Sequence, residues 1–117
     1  MAVEEQECVA VNQGEIHPVI FEVYTESGIP FEVKENWSHC SVKTTSGKEV
    51  EKIPAKLISD EPASKKYLVS WDTSKYVVGY YLLTVWCMLN ITGDLDDKGQ
   101  LVVEAKIASD ELKRYVK

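Results

Sequence analysis

Apolar residues recur at every second position along this chain, in runs separated by turn-forming clusters, and that period is the one a half-buried β-strand imposes. From Ile16 to Thr25, Val19, Phe21 and Val23 share one face while Ile20, Glu22 and Tyr24 share the other. Ser38 to Thr44 places Cys40 and Val42 on one face. Lys66 to Trp71 does the same with Tyr67, Val69 and Trp71. Gly79 to Ile91 is the most apolar run, with Tyr81, Leu83, Val85, Cys87 and Leu89 in step. Gln100 to Ala108 follows, with Leu101, Val103, Ala105 and Ile107 expected to face inward. Helical periodicity is nearly absent from all of these stretches.

The punctuation agrees with strands. Asn12-Gln13-Gly14 and Glu26-Ser27-Gly28 are turn clusters, and Thr45-Ser46-Gly47-Lys48 closes a hairpin onto Glu49 to Ile53. A short run, Cys8 to Val11, precedes the first of these turns. Ile29-Pro30-Phe31 resumes in extended form, because proline restricts its predecessor to the β region. Pro54 cannot donate to a ladder, so Ala55 to Ile58 is expected at a sheet edge. Ser59 to Ser64 reads as a loop and Thr92 to Gly99 as the last turn. Asp110 and Glu111 precede Lys113 and Arg114, a charge order that suits a short helix in the tail 109–117.

A chain of 117 residues buries one hydrophobic core. The expected organisation is therefore a single domain over 1–117, with a flexible segment 1–7 and a charged tail 109–117. Turn signals every eight to twelve residues, with no helix between strands, select an all-β immunoglobulin-like antiparallel sandwich of about seven to eight strands. Tyr81 stands where a tyrosine of such a fold anchors the preceding loop through its hydroxyl. The inter-sheet disulfide of antibody domains has no counterpart, since Ile16 to Thr25 contains no cysteine.

Composition narrows the function classes. Nineteen acidic against thirteen basic residues give a net charge of −6, which disfavours any partner held through phosphates, so no nucleic acid is expected. Residues 1–7 lack the basic and apolar segments of a signal peptide, and Tyr80 to Leu89 is too short for a membrane-spanning helix. A product made in the cytoplasm, with no membrane partner, is expected.

Cys8, Cys40 and Cys87 show no CxxC spacing, and buried thiols acting as small hydrophobes are expected. His39 and Cys40 are adjacent, so on a strand their side chains diverge. His17 and His39 fall on separate strands and would need a third ligand to hold a metal. Asp94, Asp96, Asp97 and Gly99 resemble the start of a calcium loop. The twelfth position is Ala105 in place of a bidentate glutamate, so a solvated acidic turn is expected. Asn90-Ile91-Thr92 fits the glycosylation pattern and is discounted with the missing signal peptide. Nucleophile and base pairs, paired carboxylates and phosphate loops are missing at any local spacing, so neither enzyme activity nor a cofactor is expected.

The second face of the most apolar strand resists a simple reading. Tyr80, Leu82, Trp86 and Met88 would face outward, where a solvent-facing strand is polar. Either neighbouring loops or the tail cover them, or they form a docking surface.

The order of Pro18-Val19-Ile20-Phe21-Glu22-Val23, Gly28-Ile29-Pro30-Phe31, Lys66-Tyr67-Leu68-Val69-Ser70-Trp71-Asp72-Thr73 and Gly79-Tyr80-Tyr81-Leu82-Leu83-Thr84-Val85 resembles the immunoglobulin-like virion modules of tailed bacteriophages. It is similar to the N-terminal domain of phage baseplate upper proteins. The resemblance runs from about Asn12 to Ala108 and does not extend to a fibre or receptor-binding part. It implies a non-enzymatic structural or accessory virion protein, such as a decoration, head-tail, baseplate or tail component. Its partners would be other virion proteins or further copies of itself, bound through Tyr80, Leu82, Trp86 and Met88. A rival reading is a carbohydrate-binding or adhesion module presenting Trp37, Trp71 or Tyr76. A third, a metal or redox protein, needs Cys40 and Cys87 to meet a histidine.

Overall fold

A computed structural model describes residues 9–25, 27–95 and 97–117, with the backbone alone for 91–95 and 101–105. Among the described residues the chain is all-β, with nine strands and no helix: β1 Val9–Val11, β2 Ile16–Tyr24, β3 Glu32–Val33, β4 His39–Thr44, β5 Glu49–Pro54, β6 Lys56–Glu61, β7 Ser64–Asp72, β8 Gly79–Leu95 and β9 Leu101–Val116. They form two sheets, one ordered β2-β7-β6 and the other β1-β9-β8-β4-β5, with β3 beside β8. All pairings are antiparallel except that of β1 with β9.

The core forms where the inward faces of the two sheets meet. Val19, Phe21 and Val23 of β2 and Tyr67, Val69 and Trp71 of β7 oppose Cys40 and Val42 of β4 and Tyr81, Leu83, Val85, Cys87 and Leu89 of β8. All are the residues that the alternation places inside. Each large apolar side chain removed from water contributes about 1.5–3 kcal/mol, and a slip of one residue in any of these strands would reverse every one of them. Phe21 stacks on Tyr67 with ring centroids 5.2 Å apart, and Trp71 meets Tyr76 and Tyr81 edge to face at 5.1 and 6.0 Å. The Tyr81 hydroxyl donates to the Val77 carbonyl at 2.8 Å, the anchoring role its position suggests.

The tail is a correction. Residues 109–117 do not form a helix: β9 continues to Val116, pairing with β8 from Ser109↔Trp86 to Val116↔Gly79 and with β1 through Arg114↔Val9. Leu112, Arg114 and Val116 are buried at alternate positions. A partner strand on each side and two buried aliphatic side chains outweigh a favourable charge order worth a few tenths of a kcal/mol.

Inward parity on β9 is also the reverse of expectation. Ile107 lies opposite Met88 and is 60% exposed, on the outer side of the sheet. Leu101, Val103 and Ala105 have side chains outside the described ones.

Two loop boundaries move as well. Residues 59–61 belong to β6, which pairs with β7 around a bulge between Leu57 and Ser59, leaving Pro62 and Ala63 as the turn. β6 is an edge strand, as Pro54 suggests. β8 runs on to Leu95, and beyond Asn90 its one described partner is β9. At about 3.3 Å per residue, such a strand spans the 57 Å long axis of a body 25 by 23 Å across. Cys8 and the segment 1–7 lie outside the described residues.

Candidate functional site

Because Tyr81, Leu83, Val85, Cys87 and Leu89 are buried, β8 turns Tyr80, Leu82, Thr84, Trp86 and Met88 to the opposite side of the sheet. Cross-strand register then assembles a surface in rows. Tyr80 lies beside Tyr115, their ring centroids 4.7 Å apart. Leu82 sits between Lys43 and Lys113, and Thr84 between Ser41 and Glu111. Trp86 sits between His39 and Ser109, and Met88 opposite Ile107.

The two ends of this stripe are open and its middle is sheltered. Tyr80, like Ile107, is 60% exposed, whereas Leu82, Trp86 and Met88 are half-buried. Shelter comes from side chains of β4 and of the turn that precedes it. His39 stacks on Trp86 with ring centroids 6.3 Å apart, Trp37 meets His39 edge to face at 5.1 Å, and His39 Nδ1 donates to the Trp37 carbonyl at 2.8 Å. The indole nitrogen of Trp86 is buried without a hydrogen-bond partner among the described residues. No third layer of regular structure lies on the sheet among them. The tail that was a candidate cover is a strand in the sheet itself.

The four residues singled out by the sequence thus share one face, and the structure adds Ile107 and Tyr115 to it. The expected helix over 109–117 hides Tyr115, and the expected inward parity of the strand before it hides Ile107. The face can provide an aromatic and aliphatic contact rimmed by lysines, a glutamate and hydroxyls, which is the composition of an interface core within a polar rim.

Other candidate sites fare differently. Trp71 is 0% exposed and Tyr76 is buried, so of the three aromatic residues proposed to present to a sugar only Trp37 reaches solvent. Cys40 and Cys87 are free, buried thiols. Burial pushes the Cys40 thiol up to about 12 against an opposing pull from Arg114, and burial likewise raises Cys87, so both favour the protonated, unreactive form. His17 accepts a hydrogen bond of 3.0 Å from Nε of Arg114, while His39 lies on the outer face. Among the described residues no group of three or more His, Cys, Asp or Glu side chains is placed to hold a metal ion. Asp96 and the side chain of Asp94 lie outside the described residues.

A cleft of about 1120 Å³ opens elsewhere, between the segment from Ile29 to Asn36 and strand β6. Its lining includes Ser38, Lys65 and Tyr67, residues from separate parts of the chain with no common motif. Compared with protein-family models, curated proteins and solved structures, the chain matches none.

Proposed function

We propose that this chain is a non-enzymatic structural or accessory component of a tailed-phage virion, assembling with other virion proteins through the outer face of the sheet β1-β9-β8-β4-β5. The observation that carries this reading is the apolar stripe Tyr80, Leu82, Trp86 and Met88 on β8, extended by Ile107 and open at both ends. An apolar strip of aromatic and sulfur-containing side chains on a solvent-facing sheet is costly to leave wet and is the usual core of a contact.

An immunoglobulin-like topology belongs to the same reading. The strand orders β2-β7-β6 and β1-β9-β8-β4-β5 fit that fold, with the Tyr81 hydroxyl holding the loop before β8. The sequence resemblance to phage virion modules runs through β2, β7 and β8, the strands that build the core.

The test uses virions assembled from a genome lacking this reading frame. Added wild-type protein is expected to bind to saturation with a stoichiometry set by a repeating lattice. The double variant Tyr80→Lys, Ile107→Lys alters two exposed side chains and should fold as wild type by circular dichroism, yet fail to bind. Binding by that variant would remove the face from the proposal, and a wild-type protein that never enters particles would remove the virion role.

A further inference from the structure

Backbone polarity singles out the outer side of β2. At the two ends of its ladder with β7, the Thr25 amide donates to the Ala63 carbonyl at 3.2 Å and the Thr73 amide donates to the Glu15 carbonyl at 3.1 Å. The ladder between them has no register shift. Odd-numbered residues of β2 therefore turn their amides and carbonyls to β7, and the even-numbered ones, from Ile16 to Tyr24, turn theirs the other way. Among the described residues no strand takes up that side, since β2 ends the sheet order β2-β7-β6. Pro18 has no amide hydrogen and falls on the open side, where the ladder with β7 loses nothing by it.

The strands at the other ends of the two sheets are protected against pairing with another chain, and this one is not. β6 carries a bulge between Leu57 and Ser59, with Lys56, Asp60 and Glu61 along it. β5 carries Glu49, Glu51 and Lys52 and ends at Pro54. β1 is three residues long. Charges, bulges, prolines and shortness are the devices by which proteins blunt an edge. β2 is nine residues long and unbulged, with Glu22 as its one carboxylate and no lysine. The side chains that accompany its outward amides are apolar and wet: Ile16 is 62% exposed, Ile20 55% and Tyr24 37%. An edge of this length and character is a template for strand addition.

The sequence of β2 read against itself names the occupant. Antiparallel pairing of two copies about a two-fold axis at Ile20 is the register that engages the whole strand. Ile20 then meets the partner's Ile20, Ile16 meets the partner's Tyr24, and Pro18 meets the partner's Glu22. Each such pair exchanges two hydrogen bonds, except that a pair with Pro18 keeps only the one its carbonyl accepts. No like charges are opposed. A two-fold at Glu22 would set carboxylate against carboxylate, one at Pro18 would bring together two residues without donors, and either would shorten the ladder. Within one copy, Leu68 lies between Ile20 and Lys56, and Lys66 lies beside Glu22. The axis at Ile20 thus joins Leu68 and Ile20 to the partner's Ile20 and the partner's Leu68 in one apolar row closed by a lysine at each end, and leaves each Glu22 next to its own Lys66. We infer that two copies of this chain pair through β2, joining their three-stranded sheets into one continuous sheet, a contact separate from the outer face of the larger sheet.

The test is analytical ultracentrifugation of the full chain from about 1 to 500 µM, a range that covers the weak affinity of a contact made by one strand. The mass is expected to rise from one chain to two and to stop there. Ile20→Lys alters an exposed side chain and should fold as wild type by circular dichroism, yet stay a monomer throughout. Pro18→Val supplies the missing donors and should tighten the dimer about tenfold or more. In a Cys8→Ser background treated with diamide, Ile20→Cys should form a disulfide-linked dimer, because directly paired Cα atoms about 5.5 Å apart suit the bond. Glu22→Cys, which meets the partner's Pro18, should not. A monomer at every concentration, a dimer unmoved by Ile20→Lys, or cross-linking through Glu22→Cys in place of Ile20→Cys would each overturn the pairing. The Tyr80→Lys, Ile107→Lys variant should dimerise as wild type does, and loss of the dimer in it would overturn the assignment in favour of the outer face of the larger sheet.

Discussion

The Tyr81 hydroxyl reaches back to the Val77 carbonyl at 2.8 Å, closing the loop that carries the chain from the sheet β2-β7-β6 to β8. The ring is buried against Trp71 and Tyr76, whereas Val77 lies exposed, so the hydroxyl competes with water at the accepting end of the bond. Tyr81→Phe keeps the packing and removes the donor. It should lower stability by about 1–2 kcal/mol and the Tm by about 4–8 °C, measured by urea unfolding and calorimetry. A loss below about 0.3 kcal/mol would mean that water replaces the hydroxyl and the loop is held by other contacts.

Leu112 and Lys113 are neighbours with opposite fates, the first buried in the core and the second exposed on the outer face. Leu112→Ala should destabilise the domain by about 2–5 kcal/mol through lost burial and the cavity left behind. Lys113→Ala should stay within about 0.5 kcal/mol of wild type. Equal, small effects on the denaturation midpoint would contradict a strand that runs into the core as far as Val116.

What was legible in the sequence and what was not follows from where one physical signal dominates. β2, β4, β7 and β8 each keep a mainly apolar face because an opposing sheet covers it, with His17 and the buried Lys65 only at the ends of β2 and β7, so their apolar inward residues could be read from alternation alone. β9 hides its parity. Arg114 is buried among its inward positions and Asp110 interrupts them, while Ile107 places an aliphatic group on the outer side. Its first residues pair with β8 beyond the reach of β3 and β4, where no second sheet dictates which face is apolar. The outer apolar stripe was readable because β8 carries most of it in one run. The cleft was not, since Ser38, Lys65 and Tyr67 reach its lining from separate parts of the chain.

Gly47 sits at φ 91° in the hairpin between β4 and β5, where its amide donates to the Thr44 carbonyl at 2.9 Å. A Cβ built there would meet no atom within 4 Å, so any cost of a side chain comes from the backbone conformation alone. Gly47→Ala should therefore destabilise by about 1–2 kcal/mol, and Gly47→Asn by less, because asparagine enters the left-handed region more readily. If alanine and asparagine proved equally costly in urea unfolding, the turn would owe its glycine to something other than φ.

Cys40 links burial to alkaline stability. Its thiol is pushed up to about 12 in the folded protein from an ordinary value of 9.0, chiefly by burial and against the pull of Arg114, and Tyr67 rises to about 12 from 10.0 for the same principal reason. Above pH 9 the unfolded chain releases these protons while the folded chain holds them, so the unfolded state binds fewer protons and stability falls as pH rises. The contribution is whole below pH 9 and is lost progressively up to about pH 12. Urea midpoints at pH 7, 9, 10 and 11 should decline along this window. Cys40→Ala, normalised to its own value at pH 7, should decline less steeply from pH 9 onward. An identical slope in the variant would show that the thiol ionises as freely in the folded protein as in the unfolded chain, and the core around it would have to be looser than its complete burial indicates.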